Sequence, residues 1–137
     1  MSTRIQQAAS GALTASAFYV GGWGTFAPRS FYDDFPGLNR AWVGGDGPFN
    51  EHLVRDIGSL YLALGVAGVL ALRWRQRAAT TMLGAAWVVF SVPHLAYHVG
   101  HVGHLPEADA VAVVVTLALT LLLALLALLP TRTREER

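Results

Sequence analysis

The stretch VAVVVTLALTLLLALLALL, residues 111–129, decides the fold class. It carries no charge and is almost entirely Val, Leu and Ala. About 20 such residues, rising 1.5 Å each, cross the hydrocarbon of a bilayer as one helix. Asp109 is the single charged residue between Ala108 and Leu129, Pro130 ends the run, and the polar tail Thr131–Arg137 follows. A helix is therefore expected over about 107–129.

Three further spans lie upstream, giving an all-α integral membrane four-helix bundle in one domain, 1–137. Residues 78–99 form an apolar span containing Pro93. Residues 50–72 form another, apolar over Ile57–Leu72, with Glu51, His52, Arg55 and Asp56 in its first turns. Residues 5–27 are the weakest, being rich in Gly, Ala, Ser and Thr. Ala15-Ser16-Ala17 resembles a signal-peptidase site, but the preceding Ala8–Thr14 is too small and polar for the apolar core of a leader. A retained helix is expected, and Ala17 and Gly21 have the spacing of a helix pressed against a neighbour.

Composition agrees with this reading. Hydrophobic residues make up 53% of the chain and charged residues only 14%, against about 25% in soluble domains. The apolar content excludes disorder. The absence of Cys excludes disulfides, thiolate metal sites and thiol catalysis. A net charge of +1 gives no basic footprint, so nucleic acid is not expected as a partner. The lipid bilayer is the expected partner, with other membrane subunits or a homo-oligomer as further possibilities.

The arginines orient the spans. Arg4, Arg73, Arg75, Arg77, Arg132, Arg134 and Arg137 fall on one side, and Arg29, Arg40 and Arg55 on the other. The positive-inside rule then puts both termini in the cytoplasm of a multi-pass protein in the inner (plasma) membrane. The long connection, residues 28–49, lies outside. It holds Phe31, Tyr32, Phe35 and Trp42, aromatics that a plain linker does not need, so it is expected to fold as a cap.

The polar groups converge on that outer end. All five histidines lie there: His52, His94, His98, His101 and His104. His52 and Asp56 are four apart and share a helix face, as do His94 and His98. The short connection Arg73–Arg77 makes the two helices an antiparallel hairpin. Counting depth along it sets Asp56 beside His94 and His52 beside His98. Imidazole and carboxylate at four such positions are ligands for zinc, iron or copper where no thiolate exists. Ionisable groups inside membrane helices are functional candidates by default. The structural alternatives are equally concrete. Glu51 and Arg55 can pair, Asp56 can cap loop amides or pair with Arg40 or Arg29, and the histidines can serve as interfacial residues. Glu51 and His101 are candidate proton-transfer groups beside the site. Glu107 and Asp109 open the last helix, where carboxylates favour the helix dipole.

His52-Leu53-Val54-Arg55-Asp56-Ile57-Gly58, followed by Leu60-Tyr61-Leu62-Ala63-Leu64-Gly65, resembles the second helix of small four-helix bacterial membrane proteins of the DoxX-like type. The resemblance implies a four-span fold and, for some members, quinone-dependent redox chemistry. The Lys-free, Ala/Leu/Arg-rich composition is similar to that of high-GC bacterial proteins.

Three functions follow from the sequence. One is a membrane metalloprotein with ligands His52, Asp56, His94 and His98, acting as a redox or hydrolytic enzyme on an apolar substrate. The second is a haem- or quinone-binding redox subunit. The third is a non-catalytic accessory subunit of a larger membrane complex.

Overall fold

The computed structural model describes residues 1–129; the tail arginines used for orientation, Pro130 and the carboxylates Glu135 and Glu136 lie outside the described residues. Helix α1 runs Arg4–Phe26 and the short α2 runs Pro28–Asp34. Strands β1 (Pro36–Gly37) and β2 (Arg40–Ala41) make a minimal antiparallel hairpin. Helices α3 (Glu51–Trp74), α4 (Arg77–His101) and α5 (Glu107–Leu128) complete the chain, with a single 3-10 turn, Val102–His104, after α4.

Local chemistry fixes these boundaries. Thr3 caps α1 in a capping box with Gln6: the Gln6 amide donates to the Thr3 hydroxyl, and the Thr3 amide to Gln6 Oε1. Asn50 caps α3, its Oδ1 accepting from the Leu53 amide at 3.1 Å. Arg75 stops α3 in the left-handed conformation, φ 54°, leaving room only for Gln76 before α4. Pro28 starts α2 at a position where no helical N–H is needed.

Among the described residues, three helical segments are long and apolar enough to cross a membrane: α3, α4 with its 3-10 turn, and α5. Large apolar side chains such as Leu60, Val89 and Leu122 stand exposed on their outer faces. A water-soluble chain of this size rarely shows so much exposed apolar surface, whereas lipid covers it. Helix α1 matches the others in length but does not reach their hydropathy. The reason is its composition: its buried face is Gln6, Ala9, Ser10, Leu13, Thr14, Ala17, Gly21 and Gly24.

That small-residue face sets the packing. Helix α1 lies along α3, α4 lies along α5, and α1 also touches α5. A Cβ built at Gly58 would stand 2.5 Å from the Thr25 amide nitrogen and 2.8 Å from the Gly24 carbonyl carbon. The α1 and α3 backbones are therefore in direct contact there. At the opposite end Gln6, fully buried, donates to the carbonyls of Ala127 (3.2 Å) and Leu129 (2.9 Å). It thereby satisfies acceptors that the end of α5 would otherwise leave orphaned. The apolar core, Leu13, Ala17, Ala71, Leu83, Trp87 and Ala124, lies between these two ends.

The segment between α1 and α3 is a folded cap. Trp23, Phe31, Phe35 and Trp42 pack ring against ring at centroid separations of 4.7–6.3 Å. Tyr19 joins them edge-on to Trp23 and donates to the Pro36 carbonyl at 3.0 Å. The Tyr32 hydroxyl donates to the Gly44 carbonyl at 3.0 Å, closing the second half of the cap. On the rim, Arg29 bonds Asp33 at 2.7 Å, and that bond holds the guanidinium above its ordinary pKa.

Candidate functional site

Beneath the cap is a chamber of about 660 Å³, inside the range of small-molecule and cofactor sites. Its roof is cap: Phe31, Phe35, Pro36, Trp42, Val43 and Asp46. Its walls come from all four long helices, with Leu53, Val54, Ile57 and Tyr61 from α3 and Val113, Thr116, Leu117 and Thr120 from α5. Helix α4 contributes one continuous stripe, Trp87, Ser91, His94 and His98. These positions are four, three and four residues apart, which is one face of a helix.

The upper part of the stripe is aromatic and titratable. The His94 ring stacks on Phe90 at 4.9 Å and meets the His98 ring edge-on at 4.8 Å. Asp46, reaching down from the cap, lines the chamber together with both imidazoles. The His104 imidazole stands beside it, with Nε2 3.8 Å from Oδ1. The Asp46 approach is tight, because a Cβ on neighbouring Gly45 would collide with the His104 ring.

The cap is tied to α5 through one residue. The Asp109 carboxylate accepts from the Arg40 guanidinium and from Trp42 Nε1, the latter at 3.0 Å. The sequence assigns Asp109 to the helix dipole. In the fold it also holds the roof of the chamber in place.

The sequence-derived ligands divide between two places. His94 and His98 are in the chamber wall. His52 and Asp56 pair with one another, Nε2 to Oδ2 3.3 Å, on an outer face of α3 where their side chains are 87% and 58% exposed. The expected square of His52, Asp56, His94 and His98 is not assembled, and the described residues contain no group of three or more His, Asp or Glu placed to hold a metal ion. The i, i+4 spacing correctly joins His52 to Asp56 on one face. The rotation of α3 is set by Gly58 and Gly65 against α1, and it turns Leu53, Ile57 and Tyr61, not His52 and Asp56, toward the chamber.

The two proton-transfer candidates are engaged elsewhere. Glu51 bonds Arg55 at 2.9 Å, and Arg55 also donates to the Thr25 carbonyl, so this pair joins the start of α3 to the end of α1. His101 stacks flat on Tyr97 at 4.0 Å, with Nδ1 2.7 Å from the Tyr97 carbonyl. Neither lines the chamber.

Among the wall residues not found by spacing in the sequence are Asp46, Trp87 and Ser91. Asp46 sits in an irregular loop, where spacing carries no directional information. Trp87 and Ser91 carry a usable signal, since they extend the His94 and His98 face down α4 by two further turns. Comparison with protein families, with curated proteins and with solved structures finds no match for this chain.

Proposed function

We propose that the chain is an integral membrane protein of the bacterial plasma membrane, a four-helix bundle with both termini cytoplasmic. In this reading it binds a small lipid-soluble organic molecule in the chamber beneath its outer cap. The observation that carries the proposal is the chamber itself. Its wall is mostly apolar and aromatic, it is interrupted by His94 and His98 on one side, and the folded cap roofs it. That is the composition of a site for a largely apolar ligand with a polar head. The imidazoles offer one donor and one acceptor nitrogen each when neutral, which suits a ligand oxygen. A quinone-like molecule fits better than haem. A bis-histidine haem takes its axial imidazoles from facing helices, whereas His94 and His98 come from one.

A transition-metal ion (zinc, iron or copper) held by His94 and His98 is the second reading. Asp46 favours it, as a carboxylate carried to the same wall by the cap. It requires the cap to move closer to α4 than it now stands.

One experiment separates the two. The full chain is purified from membranes in detergent, extracted with organic solvent, and the extract analysed by mass spectrometry; elemental analysis is run on the same sample. The proposal expects about one organic molecule per chain, depleted in a folded His94→Ala, His98→Ala variant. A stoichiometric metal with no organic molecule supports the second reading and overturns the first. Neither in any preparation, even after metal is offered back, leaves the accessory-subunit role.

A further inference from the structure

We infer that the chamber's ligand is a lipid with an uncharged head and a long hydrocarbon chain, and that the chain leaves the chamber sideways into the bilayer through the seam between α3 and α4. This rests on the reading of the chamber as an organic-ligand site, and it names the ligand class.

The seam follows from where the small residues face. Around the bundle the long helices neighbour one another in the order α3, α1, α5, α4. Gly58, Gly65 and Gly68 of α3 all face α1, where an added Cβ would press on Thr25, Phe18 and Thr14 respectively. Gly84 of α4 faces α5 at Ala124 and Ala127. Close approach of membrane helices needs such residues. The α3–α4 seam has bulky rings in their place, with Tyr61 and Phe90 edge-on at 5.2 Å. Only Arg75 and Gln76 separate the two helices in sequence, so they are held together at that end. They are nonetheless the least closely packed neighbours in the ring. Tied at one end and loosely packed over their length, they part toward the cap.

The side chains at the cap end agree. Above Tyr61 the polar contacts of α3 stay within α3 or go to α1: Glu51 and Arg55 pair, His52 and Asp56 pair, and Arg55 donates to Thr25. None goes to α4 among the described residues. Leu53 and Ile57 of α3 and Tyr97 of α4 line the chamber and are still 56%, 39% and 47% exposed. Pro93, which has no N–H for the helix ladder, lies on α4 at the same level. The seam between α1 and α5 is different, because the cap ties across it. Tyr19 of α1 donates to Pro36, while Arg40 and Trp42 donate to Asp109 of α5.

Depth and charge name the occupant. Ile57 lies six residues into α3, roughly 9 Å from its start at 1.5 Å per residue. In a helix long enough to span the membrane, a gap at that depth opens on hydrocarbon, and a hydrocarbon chain suits it. No arginine lines the chamber among the described residues, whereas Asp46 does. A phosphate head would meet a carboxylate with no guanidinium to offset it. A carbonyl or hydroxyl head can bond to His94 and His98 without that penalty.

Two probes with a shared naphthoyl head test the exit. One is 2-acetylnaphthalene; the other carries a 12-carbon chain ending in a triphenylmethyl group, too bulky to be enclosed along with the head. Equilibrium dialysis against the full chain in detergent, corrected for partition into protein-free micelles, gives each affinity. The inference predicts that the long probe binds no more than about threefold weaker, because its chain stays in the micelle. A loss of roughly tenfold or more, with 2-acetylnaphthalene bound, overturns the lateral exit and leaves the chamber reading intact. No binding of either probe overturns both. A diazirine at the sixth carbon of the long chain locates the exit. Adducts on Leu53, Ile57 or Tyr97 that excess 2-acetylnaphthalene suppresses are expected; suppressible adducts on Tyr19 or Thr116 instead, or on no residue, overturn the α3–α4 assignment. Displacement of the long probe by 1-tetradecanol but not by tetradecyl phosphate is expected, and equal displacement by the phosphate overturns the uncharged head.

Discussion

Replacing Gly58 by alanine puts a methyl group where the backbones of α1 and α3 touch. Its carbon would stand 2.5 Å from the Thr25 amide nitrogen, 2.7 Å from Thr25 Oγ1 and 2.8 Å from the Gly24 carbonyl carbon. Comfortable contacts between heavy atoms begin near 3.5 Å, so the helices must part locally by about 1 Å. Two of the three obstructing atoms are backbone, which no rotamer change can move. Overpacking of this kind costs about 1–3 kcal/mol, and alanine's better helix propensity returns up to about 1 kcal/mol. The net expectation is a loss of about 1–2 kcal/mol. Gly11 and Gly22, both on α1, have nothing within 4 Å of the position an added methyl carbon would take. Gly11→Ala and Gly22→Ala are therefore expected to stabilise by about 0.5–1 kcal/mol. The opposed signs separate the melting temperatures of the two classes by roughly 5–10 °C for a chain of this length. Thermal unfolding followed by far-UV circular dichroism in a single detergent reads the difference. A Gly58→Ala variant that melts at or above wild type refutes the close-contact account of the α1–α3 seam.

Gln6→Ala removes both bonds to the end of α5 and leaves buried carbonyls unpaired, so it is expected to cost about 1–3 kcal/mol; Gln7→Ala, which loses only a bond to the Ser2 hydroxyl, is expected to cost under about 1 kcal/mol, and the same melting assay compares them. Asp109→Ala releases both Arg40 and Trp42, so hydrogen exchange should accelerate across residues 38–48 while the amides of α4 and α5 stay protected; unchanged exchange in the cap would remove Asp109 as its tether. Leu38 sits at the hairpin tip with φ 59° and its side chain 91% exposed, a conformation that costs a branched side chain about 1 kcal/mol, so Leu38→Asn should raise the melting point slightly and not lower it. His52→Ala is expected to change stability by less than about 0.5 kcal/mol, as befits an exposed pair, and to leave the co-purified molecule in place, whereas His94→Ala, His98→Ala should lose it.

Much of this fold is legible in the residues, because a bilayer-length apolar run such as 111–129 has few other solutions. The cap is legible as a folded unit from Phe31, Tyr32, Phe35 and Trp42, although neither α2 nor the hairpin is. The site is another matter. A spacing of four joins His52 to Asp56 and His94 to His98, and the structure keeps both pairs together. It does not say how far each helix is rotated about its own axis. Small residues decide that rotation: Gly58 and Gly65 turn one face of α3 onto α1, and His52 and Asp56 are carried to the outside. Histidine and carboxylate draw attention for their chemistry, while Trp87 and Ser91 look like packing.

The central claim is that the chamber under the cap receives an apolar organic molecule. The most direct test is photolabelling of the full chain with a diazirine derivative of 2-acetylnaphthalene, the adducts located by peptide mass spectrometry, with and without excess unlabelled 2-acetylnaphthalene. The account predicts adducts on chamber residues such as Ile57, Phe90, His94 and Leu117, suppressed by the competitor. Adducts spread over the outward-facing Leu60, Val89 and Leu122, and indifferent to competitor, would contradict it.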